Sequence, residues 1–449
     1  MRLEIVKAGI NGEGIGFHFR KPVFIDGCFP GELVECELTD EGRHWRGKLI
    51  KILKKSPRRI KSPCIHSRSC GACPLMALNY DEQLRIKKQL LEGALYKYCA
   101  YEEPLDDIVA SKETFRYRNK CSLPVFEKDG KLVNALYRKD SNHPTIIQSC
   151  LIHEEKTEEI RLAILEVLNR HHLKAYDRHE KTGIRQLVVR AFESSAQAVL
   201  VTGKEMISKE VVDDLKKIDG LTSLFQGINT RHNPVQLMPE KLRPLFGPEK
   251  IEMKAGAYRL KLSPQAFFQL NRRQAERIYE DVSNLIRNHR KLIIEAYCGV
   301  GAISMYLHDK AERIIGIEVI EKAVLDAEEN AKLNHVENAQ FLCGDASKLV
   351  RKILSREKAD LLVVDPPRTG LDEELIETIL KSKISEVIYI SCNPATLSKD
   401  LKLLEQKYRI VSIRGYDMFP NTPHVETVCL LSKLKDAKQH VEIEVSPEK

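Results

Sequence analysis

No run of about 18 apolar residues occurs anywhere in this 449-residue chain, which excludes a helix spanning a bilayer. Met1-Arg2-Leu3-Glu4 lacks the apolar core of a secretion signal, so the expected compartment is the cytoplasm. No internal repeat or low-complexity tract is visible, which argues against solenoids and propellers. Acidic residues are missing altogether between Arg43 and Lys61, a stretch that holds nine Lys or Arg together with Trp45. A solvated face usually mixes both signs, whereas a one-sign block attracts phosphate, so this block points to nucleic acid. The net charge of +8 adds little by itself. Disulfides are not expected among the 12 cysteines, because the cytoplasm is reducing.

What is there is an ordinary soluble composition, 43% hydrophobic and 30% charged, on a chain long enough for two or three domains. Short β-rich runs over 3–7, 22–25, 32–38 and 46–53, with turns at 11–14 and 27–31, predict a small OB-type β-barrel over residues 1–57. Residues 58–264 read as a central α+β domain. It has helices over 81–98 and 154–171, a β-rich stretch over 115–152, a hairpin over 186–202, and strands over 222–228 and 258–262. From 265 to 435 the texture changes. A helix over 270–288 precedes strands at 292–296, 313–319, 339–343, 360–364, 386–391, 409–416 and 427–433, which alternate with helices. That alternation means an α/β domain with a parallel sheet covered on both faces. Residues 436–449 read as a loose tail.

The first strand of this domain runs into Tyr297-Cys298-Gly299-Val300-Gly301, a turn that brings backbone against a ligand at a helix start. Glu318 ends the second strand, where a carboxylate accepts from ribose hydroxyls. Asp345 follows the third, and Asp365 opens Asp365-Pro366-Pro367-Arg368 after the fourth. Each carboxylate alone also reads as a helix N-cap. Ser304 stands where a dinucleotide fingerprint has its third glycine, and Asp-Pro-Pro has no role in hydride transfer. S-adenosylmethionine fits better. The fifth strand ends in Ser391-Cys392-Asn393-Pro394, which puts a thiol at the same edge, with Arg368 expected to favour its thiolate. A thiol beside a methyl donor points to uracil C5, which becomes nucleophilic once sulfur adds at C6. A base must then remove the C5 proton, and Glu426 is the candidate.

Three blocks carry a resemblance: Ser391-Cys392-Asn393-Pro394-Ala395-Thr396-Leu397, Asp365-Pro366-Pro367-Arg368-Thr369-Gly370, and Phe419-Pro420-Asn421-Thr422-Pro423-His424-Val425-Glu426. With Gln265-Ala266-Phe267-Phe268-Gln269-Leu270-Asn271, the chain resembles the RNA 5-methyluridine methyltransferase family over nearly its whole length. The resemblance implies a C-terminal Rossmann-like methyltransferase domain and an N-terminal TRAM domain that binds RNA. It implies that Cys392 is the nucleophile, that Glu426 is the base, and that Gln269, Tyr297, Glu318 and Asp365 contact the cofactor. Ala302 departs from the Asn that many members carry beside the methionine part. A monomer acting on RNA, with 23S ribosomal RNA ahead of transfer RNA, is the expected partner arrangement.

Cys64, Cys70 and Cys73 cluster, and Cys150 stands alone much later. Spacing leaves structural zinc and an iron–sulfur cluster both open. The resemblance extends to an iron–sulfur branch of the family and implies a [4Fe-4S] cluster on these four thiols. Two other classes compete with the leading reading. An amino-group methyltransferase would place an aromatic residue at position 368. A binding protein that had lost catalysis would not need Cys392 and Glu426.

Overall fold

The computed structural model describes residues 1–137, 143–193, 195–232 and 237–434. The tail expected over 436–449 lies outside the described residues. No helix among the described residues is long and apolar enough to cross a membrane.

The N-terminal unit is a six-stranded sheet of Arg2–Glu4, Lys7–Ala8, Gly14–His18, Lys21–Ile25, Leu33–Asp40 and Trp45–Lys54. Arg2–Glu4 pairs with Leu33–Asp40 at one edge and Lys7–Ala8 with Gly14–His18 at the other. Between these consecutive segments Val6 N donates to Ile15 O at 2.9 Å. Alternate residues, among them Ile5, Val23, Ile25, Val34 and Cys36, fill the interior. The turn read over 11–14 stops short of a strand that the glycines concealed. Gly14 opens that strand, paired with Ile25, and glycine is required there because a Cβ would lie 2.7 Å from Cys28 Sγ.

The central unit is a seven-stranded mixed sheet in the order Arg243–Phe246, Leu221–Ile228, Ser195–Thr202, Ile184–Phe192, Lys120–Lys128, Lys131–Tyr137 and Pro144–Ile146. The expected hairpin is present, with Val188 opposite Val199, and helices Glu155–Arg170 and Lys209–Leu215 cover one face.

The C-terminal sheet consists of β1 (Arg290–Ala296), β2 (Ala311–Glu318), β3 (Ala339–Cys343), β4 (Leu361–Val364), β5 (Glu386–Ser391), β6 (Tyr408–Tyr416) and β7 (Glu426–Lys433), in the order β3-β2-β1-β4-β5-β7-β6. The first five are parallel, and β7 inserts antiparallel between β5 and β6. Both faces are buried. Ile293, Ile314, Val363 and Ile388 pack on one side with helix Arg272–Leu285, while Ile294, Ile315, Leu362 and Val387 pack on the other. The chain leaves β1 towards β2 and returns from β3 to β4 on β1's far side. A ligand crevice opens at such a switch point, beyond the carboxyl ends of the strands.

By its place in the sequence, helix α1 (Tyr80–Cys99) falls within the expected central unit. Its apolar stripe is instead buried in the C-terminal core, with Leu91 and Leu95 joining Leu397 and Leu401 of helix Pro394–Leu404. Sequence order hid this, because the whole central sheet intervenes.

Candidate active site

Beyond Ala296 the backbone takes positive φ at alternate residues, Tyr297 (65°), Gly299 (54°) and Gly301 (77°). A Cβ on Gly299 would meet nothing within 4 Å, so this turn faces open space at the sheet edge. Glu318 is fixed beside it, accepting from Gly299 N at 3.1 Å and from Ile320 N at 3.0 Å. Directly after it, Val319 and Ile320 are 67% and 58% exposed, an apolar surface unusual next to a fixed carboxylate. An open glycine turn, a fixed carboxylate and an exposed apolar pair thus lie together at this edge. Asp345 has a separate task, capping helix Ala346–Leu354 by accepting from Lys348 N at 3.0 Å. The Tyr297 phenol is half-buried, and its pKa is pushed up to about 12 by burial and then by Asp372, Asp345 and Asp400.

Cys392 follows β5, where Asn393 caps helix Pro394–Leu404 by accepting from Ala395 N at 3.1 Å, and Pro394 supplies a ready φ for the first turn. Asn393 Nδ2 and Thr396 Oγ1 both donate to Arg368 O, at 3.1 and 3.3 Å, so the thiol loop and the Asp365–Arg368 loop are tied together. Glu426 is the first residue of β7 rather than the residue before it, and is 3% exposed. Ser391 pairs with Thr427 across β5 and β7, so Cys392 and Glu426 emerge side by side at the edge where Asp365 leaves β4. Cys392, Glu426, Asp365 and Arg368 therefore form one electrostatic group.

Burial pushes the Asp365 carboxyl up to about 7. Glu426 is held well above the usual carboxylate range by burial and then by Asp365. The Cys392 thiol is raised to about 11 by burial, then by Glu426. Arg368 pulls towards the thiolate as expected but is outweighed by burial and Glu426. Gln269 lies on the segment leading to helix Arg272–Leu285, with Asn119 Nδ2 donating to its carbonyl at 3.0 Å. That segment meets the Glu426 loop through Asn271, whose Nδ2 donates to Met418 O at 3.2 Å.

Two residues escaped the sequence reading. Glu295, inside β1, is 1% exposed, accepts from Ser304 Oγ, and is raised to about 8 by burial, with Asp365 and Glu318 adding to the effect. Lys87 of α1 is fully buried against Asp417. Its position on the apolar stripe, between Leu84 and Leu91, was the available signal.

Cys64, Cys70, Cys73 and Cys150 line a single cavity of about 360 Å³ with Met76, Ile152, Phe267 and Phe268. Leu75 and Met76 are buried behind the loop, Met76 packing on Tyr117 and Ile152. Burial raises the thiols of Cys70 and Cys73, the latter to about 12. Among the described residues no three His, Cys, Asp or Glu side chains are grouped closely enough to hold a metal ion. The four thiols thus share a cavity without converging on one point.

Residues 79–434 match the family described as tRNA (Uracil-5-)-methyltransferase. An uncharacterized RNA methyltransferase of Bacillus anthracis is 36% identical over 441 residues, covering 95% of either chain. One of Clostridium tetani is 32% identical, covering 97% of either. Among solved structures, the tRNA (uracil-54, C5)-methyltransferase of Pyrococcus abyssi in complex with S-adenosyl-L-homocysteine is 25% identical at a TM-score of 0.78, covering 96% of this chain and all of that one. With a glycine turn and a thiol at the same sheet edge, the chain belongs to the tRNA (uracil-5-)-methyltransferase family and is an S-adenosylmethionine-dependent RNA methyltransferase.

Proposed function

We propose that this enzyme methylates C5 of a uridine in structured RNA through a covalent bond between Cys392 and C6. The observation that carries this reading is the β5–β7 register, by which Cys392 and Glu426 share one edge with Asp365 and Arg368. Bound S-adenosylmethionine supplies an electrophilic methyl group. Cys392, having lost its proton to water, forms the S–C6 bond, and the C5=C6 electron pair moves towards O4 as an enolate that makes C5 nucleophilic. Once C5 carries the methyl group, Glu426 takes the C5 proton, the C5=C6 bond re-forms, and the sulfur leaves as thiolate. Glu426 must reach this step ionised, against the burial and the neighbouring Asp365 that raise its carboxyl and with Arg368 favouring the charged form. Gln269, Tyr297, Glu318 and Asp365 hold the cofactor. A base inside a helix or tight loop must be flipped out to meet the sulfur.

The N-terminal sheet acts as a TRAM-like barrel over residues 1–57, the C-terminal 265–435 as a Rossmann-like catalytic domain, and 58–264 as a central domain between them, in a monomeric cytoplasmic protein. The strand Trp45–Lys54, paired between Leu33–Asp40 and Lys21–Ile25, exposes Lys48, Lys51 and Lys54. The four thiols that line the cysteine cavity supply the donor set of a [4Fe-4S] cluster, as the resemblance implies, and would have to draw together to hold one. Its role is structural.

Large-subunit ribosomal RNA is the substrate favoured by the resemblance. The Pyrococcus abyssi enzyme, named for tRNA, favours transfer RNA as a second reading, because its likeness covers 96% of this chain and leaves no room to omit the N-terminal sheet. Mapping 5-methyluridine in ribosomal and transfer RNA of cells lacking the gene tests both. Loss of a uridine methyl from either RNA supports the activity and names the substrate; an unchanged 5-methyluridine content in both removes it.

A further inference from the structure

The loop from Asp417 to Val425 leads into Glu426 and is held from outside the C-terminal sheet. All three Nζ protons of Lys87 on α1 are engaged: with the Asp417 carboxylate, with Phe419 O at 3.0 Å and with His424 O at 2.9 Å. Lys87 and Asp417 side chains are both 0% exposed. One turn earlier on the same helix, Gln83 reads both sides of Asn421, accepting from its N at 2.8 Å and donating to its Oδ1 at 3.2 Å. Tyr80 donates to the other oxygen of Asp417 at 2.8 Å. Asn421 itself has φ +68°, a conformation a side-chain residue keeps only where its surroundings hold it. The bonds to Phe419 and His424 are what a mere neutralising partner of Asp417 would not require.

We propose that Lys87 is a positioning residue for the proton-abstraction step, spanning the loop from Asp417 to His424 so that Glu426 meets the C5 proton of the covalent intermediate. This rests on the roles given above to Cys392 and Glu426. A catalytic group displaced by about 1 Å loses on the order of a hundredfold in rate. Loss of Lys87 therefore slows the last chemical step while leaving sulfur addition and cofactor binding in place.

The test compares Lys87→Met, Lys87→Met with Asp417→Asn, and the unaltered enzyme on the same RNA. Turnover is measured together with S-adenosylhomocysteine affinity, thermal transition and protein–RNA adduct on denaturing gels. In both variants turnover is expected to fall about a hundredfold, with KM for RNA and cofactor affinity unchanged, and methylated adduct should accumulate. The double variant matters because it leaves no lone buried charge, and replacing both partners of a buried pair is often tolerated. Recovery of turnover in it would reduce Lys87 to a counter-ion for Asp417 and overturn the proposal. So would a double variant that fails to bind S-adenosylhomocysteine or loses its folding transition, or slow turnover without adduct. RNA bearing 5-fluorouridine separates the two layers. If the unaltered enzyme forms no adduct with it, the underlying reading of Cys392 falls and takes this one with it. Normal trapping alongside any of the other adverse results removes Lys87 alone.

Discussion

Ser391 of β5 pairs with Thr427 of β7, and this one register sets the residue after the first strand beside the residue before the second strand's Thr. Cys392 and Glu426 are thereby neighbours although a helix, β6 and a loop separate them in sequence. The period of a strand is two, so a slip of one residue would turn Glu426 to the opposite face. Tyr416, pairing with Glu426 from β6, fixes the same register from the other side.

Separating the two roles is the sharpest consequence. Cys392→Ala is expected to form no covalent RNA complex and to transfer no methyl group. Glu426→Gln should add sulfur and transfer the methyl, then stall, with turnover lower by about 10²–10⁴ and a methylated adduct that survives denaturing electrophoresis. An adduct persisting in Cys392→Ala, or full activity in Glu426→Gln, would reverse the assignments.

The basic N-terminal strand is expected to give affinity rather than choice of base. Neutralising Lys51, Lys54 and Lys55 should weaken binding to all RNAs and lower the salt slope by about 0.7–0.9 for each phosphate left without its cation. Phe19, 84% exposed at a two-residue hairpin tip, offers a stacking surface, and Phe19→Ala should weaken single-stranded RNA binding by about 1–3 kcal/mol. Arg59 does not belong in this set, although the basic block includes it. Its guanidinium holds the fully buried Glu32 through two bonds of 2.6 and 2.8 Å, so Arg59→Met should cost about 3–5 kcal/mol of stability in thermal unfolding. A collapse of target discrimination at an unchanged salt slope would contradict the phosphate assignment.

How much of this was legible follows from what a linear pattern can carry. β3 and β5 fall on the residues read from sequence, because buried parallel strands are short apolar runs ended by polar or small residues. Cys392, Asp365 and Glu318 were legible for the same reason, each standing where such a run stops. Glu295 was not, because a lone carboxylate inside an apolar strand has no periodicity of its own. Lys87 reads at first as part of the charged side of α1, yet it lies three residues after Leu84 and four before Leu91, on the stripe that packs inward. Its partner Asp417 comes from a loop far along the chain, and no local pattern announces such a pairing.

The four cysteines make a compositional prediction. Protein purified without oxygen should be brown and contain iron and sulfide. Exchange of any one of Cys64, Cys70, Cys73 or Cys150 for Ser should lower the iron content. Stoichiometric zinc without iron would remove the cluster while leaving methylation untouched.

The raised thiol of Cys392 makes a prediction about pH that needs no RNA. Sulfur reacts as thiolate, and burial with Glu426 holds the thiol up to about 11. Between pH 7 and pH 10 the alkylation rate of Cys392 by iodoacetamide should therefore rise about tenfold per pH unit, still without a plateau. Glu426→Gln removes a carboxyl that opposes ionisation, so the thiol pKa should drop and alkylation at a fixed alkaline pH should quicken. Arg368→Met removes a charge that favours it, and alkylation should slow. Peptide mass spectrometry restricts the readout to Cys392 among the other cysteines. A plateau already reached at pH 8, or the same rate in both variants, would show that these neighbours do not set the reactivity of the sulfur.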